Sequence, residues 1–382
     1  MIYVYVIVIA TLIVIVVAAA VARTRKGYAA QGAGGKNPLT ASGWVEQSAA
    51  MLGESANGLA LMTLAMAQGR VDVMDLLASR GLVSVNAKDA SGQTCMHFAA
   101  VNGFVEAMKW MKKEKKVDVN IRAGDGDMPI HLAAGGGHVE AVAWLLDNGA
   151  EVNAGGRDNR TPMHLAAATG KTEVVKYLKE RGADAGLRDN DGLSPAGAAV
   201  VCGQTESIKC LKELGVDMDA RDGNGQTLMF AAVHGGKTES VKCLADLGAD
   251  VNAMDNDGAT PIHWAAMAGD VGSLMCLAAL KADVNAADNG GMTPVFGAAM
   301  AGQTESIRCL AGLGADVNAK LANGLTPVFG AAMAGQTESI KCLVSAGAKL
   351  DVKDNAGRTP ADCAAKAGQT KTAEWLRANG AR

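Results

Sequence analysis

Six histidines and eight cysteines are the side chains of this 382-residue chain best able to do chemistry, and their spacing limits what that chemistry can be. His97, His131, His164 and His263 each close a short tetrad: Thr94-Cys95-Met96-His97, Met128-Pro129-Ile130-His131, Thr161-Pro162-Met163-His164 and Thr260-Pro261-Ile262-His263. A zinc site draws at least two of its ligands from positions a few residues apart. These four stand a whole sequence period or more from one another. His138 and His234 lie outside the tetrads and have neither a second histidine at ligand spacing nor a cysteine pair beside them. No metal site is expected.

Five of the cysteines fall at 210, 243, 276, 309 and 342, separated by one constant step. Such a column belongs to repeated, neighbouring elements. Packed helices lie about 8–10 Å apart, whereas a disulfide needs Cα atoms within about 7 Å. Cys210, Cys243, Cys276, Cys309 and Cys342 are therefore expected to be unbridged small apolar residues on a buried helix face, in a reducing compartment. Gly170-Lys171-Thr172 and Gly236-Lys237-Thr238 end like a phosphate loop, but the glycine required five places earlier is Leu165 or Ala231. Gly35-Lys36 fails because Asn37 stands where Ser or Thr should follow. Neither Gly-x-Ser-x-Gly nor His-Glu-x-x-His occurs, so the chain reads as a non-enzyme with no cofactor and no small-molecule substrate. A net charge of -3 argues against nucleic acid as a partner, since phosphate binding needs clustered Lys and Arg.

What positions the tetrads is a repeated unit of about 33 residues, starting near 56, 89, 123, 156, 189, 222, 255, 288, 321 and 354. The one longer step follows position 89, and the extra residue is assigned to a loop at Lys112-Lys113-Glu114-Lys115-Lys116. Thr-Pro opens a helix, because Pro fixes φ where its missing N–H costs nothing and Thr caps the end. Gly170 or Gly302 then breaks the chain before a second apolar-spaced helix, which Gly182 or Gly314 ends. Gly92, Gly126, Gly192, Gly225, Gly258, Gly291, Gly324 and Gly357 share one loop-tip position, with Asn159 in the remaining unit. That substitution pattern predicts a positive φ there. The first unit lacks the Pro and His, and the last has Asp362 in the His position, as expected of capping units.

The period, Thr-Pro-x-His followed by Ala-Ala, and the closing Gly-Ala-Asp-Val-Asn-Ala at 248–253 and 314–319 together resemble the ankyrin repeat over residues 56–382. The resemblance implies an all-α ankyrin-repeat solenoid of helix-loop-helix units with β-hairpin loops. It also implies a structural hydrogen-bonding role for the slot histidine, between loop and helix. Partners of such arrays meet the loop tips and the inner helices that form a concave face. Here the tips include Arg160, Gln226, Met292 and Leu325, and the inner helices carry Met267, Met300 and Met333, so a protein partner is expected on an adaptable apolar patch in units seven to nine. Packing between neighbouring inner helices is the competing role for these methionines. Residues 293–307 and 326–340 are identical, as internal duplication would produce.

Residues 1–22 are of another kind. Positions 2–22 carry no charge and are dominated by Ile, Val, Leu and Ala, and about twenty helical residues span the hydrocarbon core of a bilayer. A single transmembrane helix is expected, with Arg23, Arg25 and Lys26 on the cytoplasmic side and the repeats therefore facing the cytoplasm. The alternative is a cleaved signal peptide ending at Ala20-Val21-Ala22 and a secreted effector, though the usual basic leader is missing. Residues 23–43, basic and then rich in Gly and Ala, read as a flexible linker, and 44–55 as a short helix.

Overall fold

The computed structural model describes residues 40–52 and 58–381, so the expected membrane span and most of the linker lie outside the described residues. Among those described, every regular element is helical, and no helix is long and apolar enough to cross a membrane. The chain forms two compact parts, divided after Arg157.

The first part holds α1 (Ala41–Leu52) and three helix pairs: α2 (Gly58–Ala67) with α3 (Val71–Ser79), α4 (Cys95–Val101) with α5 (Val105–Lys115), and α6 (Pro129–Gly136) with α7 (Val139–Asp147). Helix α1 starts at Ala41, inside the stretch read as linker. It lies on the first pair, with Trp44 buried and its indole N–H donating to Gln68 Oε1 at 2.9 Å.

The second part holds seven pairs. They are α8 (Pro162–Ala168) with α9 (Thr172–Glu180), α10 (Pro195–Val201) with α11 (Thr205–Glu213), α12 (Leu228–His234) with α13 (Thr238–Asp246), and α14 (Pro261–Ala268) with α15 (Val271–Ala279). Then follow α16 (Pro294–Met300) with α17 (Thr304–Gly312), α18 (Pro327–Met333) with α19 (Thr337–Ser345), and α20 (Pro360–Lys366) with α21 (Thr370–Ala378).

Through most of each part, the first helix of a pair packs on the first helix of the next pair, and second helix on second helix. The seam between first helices is made of small residues. Ala133, Ala134, Ala166, Ala167, Ala298 and Ala299 are wholly buried, which lets short helices approach closely. One larger side chain per unit, such as Ile130, Met163, Ile262 or Val328, fills the gap to the second helix and is also wholly buried. Each such burial stabilises by about 1.5–3 kcal/mol, so the stack and not the isolated helix holds the fold.

The extra residue of the second unit is not in a loop. Helix α5 runs 11 residues where the other second helices run nine, and Lys116 closes it at φ 54°. A lysine-rich segment is a good helix former and its exposed face tolerates charge, so the insertion lengthened the helix.

The expected β-hairpins are also absent as strands among the described residues. Most of the loops are turns organised by an aspartate or a related acceptor. Asp189 Oδ1 accepts from the backbone N–H groups of Asp191 and Leu193 at 3.0 and 2.9 Å, and Asp189 N donates to Leu193 O at 2.9 Å. One closing bond on either side of a tip is too short a run for a ladder. At the tips Gly192 adopts φ +78° and Asn159 φ +59°, the left-handed conformation expected from the substitution pattern.

Candidate protein-interaction surface

The slot histidines are the best-defined polar elements of the array. His263 Nδ1 accepts from the backbone N–H of Thr260 at 3.1 Å and lies 2.9 Å from Thr260 Oγ1, while Nε2 reaches Met292 O in the next loop at 3.0 Å. A backbone N–H can only donate, so Nδ1 is unprotonated and Nε2 carries the proton it gives to the carbonyl. His164 repeats the arrangement with Thr161 and Leu193 O, and His97 with Thr94 and Asp127 O. In His131 the ring accepts from Met128 N and reaches Ala154 O. Each imidazole thus caps its own helix and ties it to the following loop. Burial above all holds His97, His164 and His263 below the ordinary imidazole value, which favours this neutral form.

Where the slot is not histidine, the same hydroxyl changes fate. Phe230, Phe296 and Phe329 fill the space and are almost wholly buried, but Thr227, Thr293 and Thr326 are left with Oγ1 buried and unpartnered. In the last unit Asp362 Oδ2 accepts from Thr359 N and Oγ1 at 3.0 and 2.8 Å, which keeps the cap alone. Among the described residues no three His, Cys, Asp or Glu side chains converge as a metal site would require.

The residues expected to meet a partner behave differently from one another. Met267 and Met300 are 46% and 41% exposed on the inner helices, and Met292, Leu325 and Met333 are half-buried. Gly297 and Gly330 explain the first two: a Cβ at either position would lie 2.8 Å from Met267 Cγ or Met300 Cγ. Each methionine is seated on the glycine of the following helix and still shows much of its surface, so inter-helix packing and exposure coexist. Gln226 is half-buried at its tip, its backbone N–H bound to Asp222 Oδ1 at 2.9 Å. Arg160 is committed elsewhere. Its Nε meets Asp189 Oδ2 and its Nη2 meets Asp191 Oδ2, both at 3.1 Å, which ties its guanidinium to the neighbouring loop.

Family models for ankyrin repeats match this architecture along most of the chain. The model described as three copies matches residues 115–189, 170–255, 196–288, 228–321 and 295–382, and the one described as many copies matches 61–111. The chain belongs to the ankyrin-repeat family. Comparison with curated proteins finds no match. Ankyrin repeats are in general protein–protein interaction scaffolds and not catalysts.

Two features of this ankyrin face escaped sequence reasoning. Trp264, one place after the slot, donates through Nε1 to Asp255 Oδ2 at 3.1 Å and meets the exposed His234 edge-on, with ring centroids 4.9 Å apart. This contact joins the inner helices of units six and seven. The other is the glycine pair Gly297 and Gly330, whose signal lies in their being the only two glycines that directly follow Phe in the slot. The cysteine column needs no chemistry. All eight cysteines are free, and in the column Cys210, Cys243, Cys276 and Cys342 direct Sγ at Thr172, Thr205, Thr238 and Thr304 carbonyls at 3.5–3.8 Å. Burial pushes these thiols above their usual range, away from reactive thiolate.

Proposed function

We propose that this protein is a membrane-anchored ankyrin-repeat scaffold that binds another protein through the inner helices and loop tips of units seven to nine, with its repeats in the cytoplasm. The observation that carries the binding part is the run Met267, Met300 and Met333, of which the first two are exposed although each already rests on a glycine of the next repeat. Flexible, polarizable side chains backed by a rigid small-residue seam suit an apolar helix or loop of a partner. Met292 and Leu325 add apolar tips to the same face. Arg160, paired with Asp189 and Asp191, lies on a tip of unit four, away from these units. The anchor rests on the charge-free residues 2–22 followed by Arg23, Arg25 and Lys26.

Replacing Met300 and Met333 together by Glu should weaken capture of the native partner about tenfold or more while helical circular dichroism stays unchanged. Unaltered capture sinks the patch; lost helicity assigns the methionines to the core. Membrane fractionation together with sequencing of the mature amino terminus tests the anchor. A soluble chain beginning at Arg23 favours the exported form instead.

A further inference from the structure

Around unit five, two side chains that other units use to tie themselves to the next one are missing, and a cavity of about 370 Å³ opens where they would be. The first is the asparagine after the second helix. Asn285 and Asn318 donate through Nδ2 to Gly314 O and Gly347 O and accept from the amides of Asp316 and Lys349. The equivalent residue here is Gly186, so Gly215 O and Asp217 N receive nothing from it. The second is the slot histidine. By the register of His164 with Leu193 O and His263 with Met292 O, a histidine at 197 would donate to Gln226 O, but position 197 is glycine. In units six, eight and nine the loss of histidine is filled by a buried phenylalanine ring; at Gly197 only Leu193 leans over, its Cδ2 3.2 Å from where a Cβ would stand.

The lining has a definite chemical bias. Gly215 and Gln226 bring backbone carbonyls whose counterparts also accept a side-chain N–H, and Asp217 and Asp222 bring carboxylates. Thr227, 4% exposed, lines the same space with its Oγ1 unpartnered. Asp184 and Asp191 also contribute, the latter with Oδ2 already paired to Arg160, against two cations, Lys179 and Arg188. Two of the five N–H groups of Arg188 already go to Gly192 O and Arg221 O, at 2.6 and 3.2 Å. The lining is thus net acidic, four carboxylates against two cations, and its Gly215 and Gln226 carbonyls lack the asparagine and histidine donors that their counterparts have. We propose that this cavity binds a guanidinium or primary ammonium group, taking the place of the absent histidine and asparagine donors. Guanidinium, with five N–H groups in a plane, fits a set of separated carbonyl and carboxylate acceptors especially well.

The test is calorimetric titration of the full-length protein with agmatine, with the peptide Gly-Gly-Arg-Gly-Gly, and with its uncharged citrulline counterpart. Saturable binding of the charged probes is expected, with the citrulline peptide about tenfold weaker. Gly197→His fills the space and restores a donor to Gln226 O, so it should abolish uptake while leaving helicity intact; Asp217→Asn should weaken it. Absence of saturable binding up to about 10 mM, or unchanged binding in Gly197→His, overturns the proposal. Agmatine binding as tightly as the peptide points to a free amine, and a peptide at least about tenfold tighter points to a side chain of a partner. Met300→Glu and Met333→Glu should leave these titrations unaltered, so the cavity and the methionine patch fail or stand separately.

Discussion

Units seven and five share a backbone plan and differ in what fills one slot. In unit seven His263 satisfies Thr260 and Met292 O at once; in unit five Gly197 leaves Ser194 Oγ to accept Gly197 N alone, at 3.3 Å, and a cavity behind it. The stack tolerates this because its apolar seam is continuous through both: Ile262, Ala265 and Ala266 in one, Ala196, Ala199 and Val200 in the other, all wholly buried. Stacking and polar stitching are separable. The first makes the fold, and the second adjusts how firmly each unit is held and what it leaves open.

The sharpest way to break this contrast is His263→Ala. It removes three polar contacts and leaves Met292 O and Thr260 N short of partners, and should cost about 3 kcal/mol. Urea unfolding followed by tryptophan fluorescence measures it; a loss under about 1 kcal/mol would mean the imidazole is passive filler. Acid provides a second approach. Because burial lowers the folded-state values of His97, His164 and His263 below 6.5, the unfolded chain takes up protons first. Their contribution is complete above that value and is lost as pH falls through the lowered ones. The urea midpoint should therefore drop between about pH 7.5 and 5.5, and a flat or rising midpoint contradicts the neutral-imidazole assignment. The smallest effect is expected from Gly197→His, which converts unit five toward unit seven and should raise stability by about 1 kcal/mol. A decrease would show that the loop beyond Gly197 is not in the register of its neighbours.

Much of this contrast could be read from the letters. Thr-Pro marks the helix starts because φ and the absent N–H of proline act locally, and the tip glycines with Asn159 report a backbone angle that any neighbourhood would demand. What could not be read depends on through-space neighbours a full repeat away. Arg160 reads in sequence as a tip residue facing a partner and also pairs with Asp189 and Asp191 of the following loop. Lys112 to Lys115 look like an insertion loop and are the last turn of a helix. Asp-x-x-Gly tips look like hairpins and close with too few backbone bonds to make strands. Gly186 and Gly197 look like unrelated lapses from the repeat, and only the cavity links them.

The duplicate segments 293–307 and 326–340 place identical helices at α16 and α18, each burying its slot phenylalanine and carrying a methionine at the same position. Modules so alike have interchangeable joints. Excising one full period between equivalent points would rejoin matching sequence, delete one methionine and one phenylalanine, and shorten the array by one step without creating an unfamiliar seam. Unequal recombination could thus set the reach of this face as readily as point substitution sets its chemistry.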